Sequence, residues 1–263
     1  MARRDFCQLT VFRLLSLIEP CPTRSLRIVG VLQRVASASR AEPSVVPMAV
    51  TALKPGTMGL SLMFPTFLGV AHYPDFNVER ERLIRRIRQI SEDDAEGMQI
   101  SRQRYPNGYT SYYTRNMLHG DPAFGPLASF IQHMATKYSA QQYWDVERYE
   151  LFLSSLWCNI NGQYSFHSEH LHPFSHISGV FYISCPSDSG SILFKDPRPG
   201  RAMVPPPLAQ FRPENSTLVN IPPEDGKLLM FPSFLEHSVE QNLTTTERIG
   251  MSFNFEIRKR TIR

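Results

Sequence analysis

Residues 166–183 read FHSEHLHPFSHISGVFYI, a stretch that joins a histidine cluster to a β-branched and aromatic run. The run that begins at Ile177 predicts a buried strand. Four of the eight histidines of the chain fall here, at positions 167, 170, 172 and 176. Side chains two residues apart on a strand share a face, so the imidazoles of His170 and His172 can reach one ion. The stretch predicts either a metal site at the mouth of a strand or a polar loop rich in histidine.

The chain around this stretch is divided into a helical part and a strand-rich part. Residues 76–142 contain two segments with apolar residues at helical spacing, and the second has Asp121 as its predicted N-cap and Pro122 in its first turn. Residues 148–257 contain short β-branched or aromatic segments separated by Gly, Pro, Asn and Asp. Two helices followed by six or more strands predict a mainly β (α+β) fold, with helices packed on one side of an antiparallel barrel or sandwich.

Composition and charge narrow the class of protein. Hydrophobic residues make up 42% and charged residues 20% of the 263 residues, which is typical of a soluble globular protein. The four cysteines form no CxxC pair, so neither a disulfide framework nor a thiolate zinc site is expected. No apolar run is long enough to span a bilayer, and we expect no membrane partner.

The first 47 residues differ from the rest. Residues 1–50 hold seven arginines and three acids, which accounts for the whole net charge of +4, so nucleic-acid binding is not expected. An Arg-rich, Ser-rich and acid-poor leader is typical of a transit peptide, which predicts an organellar protein of the mitochondrion or plastid. The alternative is a disordered tail or a chain that starts at Met48, which would be cytoplasmic. In either case residues 48–263 are expected to form a single domain.

A distant histidine completes a candidate metal site. His237 lies 65 residues after His172, and in a closed barrel a later strand can return beside an earlier one. Three protein ligands leave positions open for substrate, which is the arrangement of a catalytic metal site. His167 and Glu169 form a rival pair that would supply a carboxylate ligand. The residues therefore favour His170, His172 and His237, with the rival pair left open.

Arg248 is a candidate anchor for a carboxylate, eleven residues after His237. Arginine suits bidentate capture of a carboxylate. We expect it on the antiparallel strand next to the strand formed by Lys227–Ser233. Gly250 and Ser252 share its face by alternation, so Gly250 would leave room for a small acid and the Ser252 hydroxyl could donate a second hydrogen bond.

These motifs together resemble a known family. The pattern H-x-H-P…SGVFYI…SGSILFKDPR…G-x-L-L-x-F-P-S…H-x10-R-x-x-x-S-F-N is similar to that of the Fe(II)/2-oxoglutarate-dependent dioxygenases, and more narrowly of a 2OG-Fe(II) oxygenase subfamily related to prolyl hydroxylases. The resemblance implies a double-stranded β-helix (jelly-roll, cupin-like) barrel with Fe(II) between its sheets. It implies His170 and His237 as iron ligands, Arg248 as the residue that binds the far carboxylate of 2-oxoglutarate, and Tyr182 as the source of a further hydroxyl for that carboxylate.

The sequence departs from the usual family pattern at one ligand. Most of the superfamily has H-x-D, whereas His172 occupies the second position here. A site of three histidines leaves one more net positive charge on the iron than the site of two histidines and one carboxylate.

Two functions compete at this point. The first is a dioxygenase that uses O2, Fe(II) and 2-oxoglutarate to hydroxylate a C–H bond of a small-molecule, amino-acid or protein substrate, with release of succinate and CO2. The second is a cupin-type metal or ligand-binding protein, because Gly226-x5-Pro232-x4-His237 is similar to a cupin motif. Arg248 favours the first. Asp196, Arg198 and Asn159 are candidate substrate contacts, with turn formation as the alternative for each.

Overall fold

The computed structural model describes residues 55–198, 200 and 203–261. The predicted targeting segment, residues 1–47, lies outside the described residues. The chain divides into two units, Met1–Ser61 and Leu62–Arg263, and the description that follows concerns the second. Among the described residues, no helix combines the length and the apolar character needed to cross a membrane.

The helices of the described residues lie within the predicted helical part, but their boundaries differ from the prediction. They are α1 (Phe76–Glu92), α2 (Ala95–Arg104) and α3 (Gly125–Gln141). α1 buries Leu83, Ile87 and Ile90, the apolar stripe that predicted it. α2 was not predicted, because its ten residues bury only Gly97 and Ser101 and show no apolar stripe.

Asp121 caps a shorter element than the sequence predicted. Its carboxylate accepts a hydrogen bond from the backbone N–H of Ala123 at 2.9 Å. The turn that follows, Pro122–Phe124, is a 3₁₀ helix, and α3 begins only at Gly125. A second 3₁₀ turn, Leu118–Gly120, precedes it. The predicted cap is therefore present, but the chain makes one tight turn before the α-helix starts.

Within the part of the chain that the structure describes, ten strands form two antiparallel sheets. They are β1 (Gly69–His72), β2 (Gly108–Thr110), β3 (Tyr149–Asn161), β4 (His167–His170), β5 (Ile177–Ser184), β6 (Ile192–Lys195), β7 (Leu218–Ile221), β8 (Lys227–Pro232), β9 (His237–Val239) and β10 (Arg248–Lys259). The six-stranded sheet has the order β1-β8-β5-β10-β3-β2, and the four-stranded sheet has the order β4-β9-β6-β7. From β3 onward the chain crosses to the other sheet after every strand except β6, which pairs with β7 in the same sheet. This winding makes the fold a double-stranded β-helix with helices packed against it.

Two hydrophobic clusters hold the layers together. The larger one joins the helices to the six-stranded sheet, with Leu83 of α1 and Ile131 of α3 packed in the same cluster as Phe253 of β10. The smaller cluster lies between the sheets and contains Leu229 of β8 and Phe194 of β6. Both faces of the central strands β5 and β10 are thus covered, in agreement with their nearly continuous apolar sequences.

The predicted position of Arg248 relative to strand β8 is wrong. Arg248 begins β10, and β10 pairs with β3 and β5 rather than with β8. β5 lies between β8 and β10 because the double-stranded β-helix inserts an earlier strand between two later ones. His237 belongs to the other sheet. Arg248 and His237 therefore reach the same space from opposite sheets.

Candidate metal and oxoacid site

A cavity of about 810 Å³ opens between the two sheets. Its walls come from β3, β5 and β10 on one side and from β4, β6 and β9 on the other. All four of the residues His170, His172, His237 and Arg248 line it. The topology explains this convergence, because the inner faces of two packed sheets supply alternate residues of each strand.

Three imidazoles converge at one end of the cavity. His170 of β4 pairs directly with His237 of β9. β4 ends at His170, so His172 lies just beyond the strand and not on it as the sequence predicted. The ligand-capable ring nitrogens of the three residues nevertheless all lie within 4.8 Å of one another.

Backbone contacts fix the orientation of two of these rings. The Nδ1 atom of His170 lies 2.8 Å from the carbonyl oxygen of Ser168, and Nδ1 of His237 lies 2.9 Å from that of Leu235. A carbonyl oxygen can only accept, so Nδ1 carries the proton in both residues. This leaves each Nε2 with a free lone pair, which is the usual arrangement of a metal-binding histidine.

A chain of buried hydroxyls supports the segment that carries His172. The backbone N–H of His172 donates to the carbonyl oxygen of Ser233 at 3.0 Å. The hydroxyls of Ser233 and Ser178 lie 2.8 Å apart, and Ser178 in turn donates to Oδ1 of Asn254 at 2.8 Å. The loop after β4 is thereby tied to both β5 and β10, which holds His172 near the other two rings.

Burial keeps the three rings uncharged. Burial lowers the pKa of His170, and it lowers that of His237 to about 4, with the neighbouring His170 adding to the effect. Burial and the nearby histidines lower the pKa of His172 to about 3. At neutral pH the imidazoles are therefore deprotonated, as a metal ligand must be. The donor set, its tautomers and its neutrality all fit a divalent transition metal such as iron.

Of the rival ligand pair, only His167 faces the cavity. The carboxylate of Glu169 accepts a hydrogen bond from Nζ of Lys195 at 2.8 Å, and its side chain is 49% exposed. Glu169 does not line the cavity, whereas His167 does. The two side chains thus point in different directions, and Glu169 is not positioned to supply a carboxylate to the site.

Arg248 is buried, with 5% of its surface exposed. Its Nη1 atom donates to the carbonyl oxygens of Ser189 at 2.6 Å and Gly190 at 2.5 Å. Among the described residues, no carboxylate forms an ion pair with Arg248. A buried guanidinium held by backbone alone has donors to spare for an anion in the cavity.

Ser252, Asn159 and Tyr182 lie close to this end of the cavity. Nδ2 of Asn159 donates to Oγ of Ser252 at 2.9 Å, and no group in the described part of the chain forms a hydrogen bond with the buried Oδ1 of Asn159. Tyr182 is 4% exposed and lines the same wall. Burial raises its pKa, and Arg248 opposes that effect, so the phenol keeps its proton. These three side chains offer polar groups to a ligand that reaches Arg248.

Gly250 lines the cavity, and its lack of a side chain is also required by the neighbouring strand. A Cβ atom at this position would lie 2.9 Å from the carbonyl oxygen of Phe181 on the paired strand β5. Real Cβ atoms do not approach this closely, so the glycine is needed where the register of β5 and β10 shifts.

Asp196 and Arg198, the other candidate substrate contacts, pair with each other. Nη2 of Arg198 lies 2.8 Å from Oδ2 of Asp196, and the backbone N–H of Arg198 also donates to the same carboxylate at 3.1 Å. Neither residue lines the cavity. This geometry agrees with the alternative of turn chemistry after β6.

Sequence reasoning missed Tyr105. Its ring is buried at the end of α2 and lines the cavity, where its centroid lies 4.8 Å from that of His167. Its hydroxyl accepts a hydrogen bond from Nδ2 of Asn161. No pattern in the sequence signals this placement, because Tyr105 comes from the helical part and is far from the strand-rich motifs.

Comparison with known proteins agrees with the class indicated by this geometry. Residues 155–254 match the family model described as "Putative 2OG-Fe(II) oxygenase". The matched range runs from β3 into β10 and contains all three histidines and Arg248. The match covers 100 of the 263 residues, so the predicted resemblance to the 2OG-Fe(II) oxygenases is confirmed over the strands that carry the candidate site.

Several solved structures are similar to this chain to different degrees. A prolyl hydroxylase from Trichoplax adhaerens, in complex with a hypoxia inducible factor peptide fragment, aligns with TM-score 0.50 and 10% identity over 72% of this chain and 83% of that chain. A prolyl-4-hydroxylase from Pseudomonas putida aligns with TM-score 0.48 and 14% identity over 74% and 93% of the two chains. HygX from Streptomyces hygroscopicus with iron bound gives TM-score 0.47 and 14% identity over 73% and 82%. No curated protein sequence matches the chain significantly.

Proposed function

We propose that this protein is an Fe(II)- and 2-oxoglutarate-dependent dioxygenase that hydroxylates a C–H bond of an amino-acid, protein or small-molecule substrate and releases succinate and CO2. The observation that carries this proposal is the shared cavity. It is lined by three neutral imidazoles whose ligand nitrogen atoms lie within 4.8 Å of one another, and by a buried arginine without a carboxylate partner among the described residues. A metal ligand set and a carboxylate anchor in one cavity are what an oxoacid-dependent iron enzyme needs.

Each residue has a distinct role in this proposal. His170 and His237 would hold the iron through their Nε2 atoms, and His172 through one of its ring nitrogens. Arg248 binds the far carboxylate of 2-oxoglutarate, and the hydroxyls of Tyr182 and Ser252 add hydrogen bonds. When bound, iron and 2-oxoglutarate supply the O2 chemistry that forms succinate and CO2 and oxidises the substrate.

The protein itself contributes binding, orientation and exclusion of water. The rings of Phe231 and Phe194 lie 4.7 Å and 6.0 Å from the ring of His237 and cover one side of it. On the open side, the Trp157 ring lies 6.1 Å from that of His172 and the Tyr112 ring lies 5.0 Å from Trp157. This aromatic wall leads outward from the proposed iron and is the surface that a substrate would meet first.

An anaerobic titration of the full chain with Fe(II) and 2-oxoglutarate tests the proposal. A chelated iron–oxoacid complex gives a visible charge-transfer band, which we expect in the wild type. The band should be lost in His237→Ala and kept in His133→Ala, whose exposed side chain on α3 makes it a matched control. Tight metal binding without a band would instead support the cupin-type alternative.

Arg248 provides a second, independent readout of the same proposal. Arg248→Ala should still bind Fe(II) but should lose the succinate that the wild type forms from 2-oxoglutarate. Arg258→Ala, which removes an exposed guanidinium paired with Glu150, is the matched control. Equal succinate formation by Arg248→Ala and wild type would contradict the assignment of Arg248.

A further inference from the structure

A fourth imidazole lies beside the three proposed ligands and has no role in the function described so far. The ring centroid of His167 lies 4.9 Å from that of His170 and 4.8 Å from that of Tyr105. His167 is not part of the group of nitrogen atoms that lie within 4.8 Å of one another. It therefore sits next to the metal site without being positioned as one of its ligands.

The register of the four-stranded sheet places His167 between the metal site and Arg248. One row across the sheet consists of His170, His237 and Phe194. The next row consists of His167, Val239 and Ile192. Two residues along a strand correspond to roughly 7 Å, so the His167 row is one such step away from the proposed iron ligands.

Arg248 lies beyond the row of His167, on the side away from the proposed iron ligands. Its guanidinium is held by the carbonyl oxygens of Ser189 and Gly190, which precede Ile192 in the chain. Along this end of the sheet the order is thus proposed metal ligands, then His167, then the anchor of Arg248. A dicarboxylate that reaches from the metal ligands to Arg248 must pass the level of His167.

The imidazole of His167 is available to such a ligand. His167 and Arg248 both line the cavity. No group among the described residues forms a hydrogen bond with a ring nitrogen of His167, in contrast to His170 and His237, whose Nδ1 atoms are bonded to carbonyl oxygens. The ring packs against Tyr105 on one side, which orients it while its nitrogen atoms stay unpaired.

We propose that His167 is a cofactor-binding residue that donates a hydrogen bond to 2-oxoglutarate held between the metal site and Arg248. This inference rests on the proposed function. Its consequence is specific: His167 contributes to the affinity for 2-oxoglutarate and not to the affinity for Fe(II).

Two substitutions separate hydrogen bonding from packing. His167→Phe keeps an aromatic ring against Tyr105 and removes the N–H donor. His167→Gln keeps an N–H donor and removes the ring. His133→Phe on the exposed face of α3 is the control for introducing a phenylalanine. For each full-length variant, the anaerobic dissociation constants of Fe(II) alone and of 2-oxoglutarate with Fe(II) present are measured, and circular dichroism checks the fold.

We expect His167→Phe to raise the dissociation constant of 2-oxoglutarate about 10-fold or more, the usual effect of losing one hydrogen bond to a charged group. His167→Gln should stay within about 3-fold of the wild type, because it retains a donor. The dissociation constant of Fe(II) should be unchanged in both variants.

Three results would overturn the inference, and each has a different meaning. Wild-type affinity for 2-oxoglutarate in His167→Phe would mean that the ring only packs. Loss of Fe(II) in both variants would make His167 a metal ligand. Failure of the wild type itself to bind 2-oxoglutarate would remove the proposed function together with this inference, and that failure is visible before any variant is made.

Discussion

His170 and His237 face each other across the β4–β9 pair with ring centroids 4.3 Å apart, and each is oriented in the same way. In both residues Nδ1 is hydrogen-bonded to the carbonyl oxygen two positions earlier, Ser168 in one case and Leu235 in the other. The same hydrogen bond from a ring Nδ1 to a backbone carbonyl oxygen is therefore formed twice, on two strands that meet only in the folded protein. These hydrogen bonds orient both imidazoles before a metal binds. Metal binding therefore has to order little of the site.

This preorganisation predicts that Fe(II) stabilises the fold measurably. A ligand present at 100 times its dissociation constant adds about 2.7 kcal/mol to the free energy of unfolding. For a domain of this size that corresponds to a rise in Tm of about 5–10 °C. Anaerobic thermal unfolding with and without Fe(II) measures it. His170→Ala and His237→Ala should lose the rise while His133→Ala keeps it, and an unchanged rise in either site variant would argue against the proposed ligands.

The lowered pKa values of the site histidines predict that the metal-free protein loses stability in mild acid. Burial, reinforced by neighbouring histidines, brings the pKa of His172 to about 3 and that of His237 to about 4. In the unfolded chain a histidine titrates near 6.5, so between about pH 6.5 and pH 4 the unfolded state binds more protons than the folded state. The free energy of unfolding is thus unaffected above this window and falls as the pH falls through it.

Urea unfolding of the metal-free protein across this pH window measures the effect. His172→Asn removes one of the coupled groups, so the slope of the free energy of unfolding against pH should decrease by about one bound proton. His133→Asn changes an exposed histidine on α3 and is the matched control. A wild-type protein whose stability is flat from pH 7 to pH 4.5 would show that the site histidines are not held neutral by burial.

The order of helices and strands was predictable from the sequence, but one helix and the neighbours of two strands were not. β5 and β10 have the β-branched and aromatic residues of buried strands, and α1 has a clear apolar stripe. α2 has no such stripe, since it is fixed by the carboxylate of Asp94 and not by apolar packing. The insertion of β5 between β8 and β10 could not be inferred from local patterns, because pairing between distant strands depends on the whole topology.

The candidate site was predictable only for residues that belong to a recognisable sequence motif. His170, His172 and Arg248 carry a recognisable spacing, and the structure places all three on one cavity. Tyr105 reaches the same cavity from the end of α2, through a contact that no local sequence pattern encodes. Arg198, in contrast, was a candidate because of its residue type alone. Its guanidinium instead pairs with the nearby carboxylate of Asp196, away from the cavity.

Asp94 shows how a buried carboxylate replaces apolar packing in α2. Its carboxylate accepts hydrogen bonds from the backbone N–H of Gly97 at 3.0 Å, the hydroxyl of Tyr109 at 2.7 Å and the hydroxyl of Thr114 at 2.5 Å. Burial raises the pKa of Asp94, but these hydrogen bonds outweigh it and hold the pKa below its usual range. The carboxylate is therefore charged, fully hydrogen-bonded and stabilising at neutral pH.

Asp94→Ala should lower the free energy of unfolding by about 2–4 kcal/mol, because it removes a helix cap and leaves the buried partner groups unpaired. Urea unfolding at pH 7 measures this loss. Asp93→Ala, which changes an acidic side chain on the exposed side of the same junction, is the matched control. A loss below about 0.5 kcal/mol in Asp94→Ala, within the range of ordinary surface substitutions, would contradict this role.

The departure from the H-x-D pattern is tested by asking whether His172 or Glu169 is the third metal ligand. The structure directs Glu169 toward Lys195, at 2.8 Å, and brings the ring of His172 within 5.3 Å of the ring of His237. If His172 is the ligand, His172→Ala should weaken Fe(II) binding by at least about 10- to 100-fold, the loss that follows even from changing a group that only contacts a ligand. Glu169→Ala should leave it unchanged, because it removes only an exposed ion pair.

The two variants lie three residues apart, so they control for each other in expression and folding. The dissociation constant of Fe(II) is measured anaerobically for both, and the charge-transfer band with 2-oxoglutarate reports whether the remaining ligands still form the complex. Weakened binding in Glu169→Ala alone would mean that the carboxylate turns inward and completes a site of two histidines and one carboxylate. Weakened binding in His172→Ala alone means that the iron is held by three neutral ligands, and that its positive charge is balanced by 2-oxoglutarate rather than by the protein.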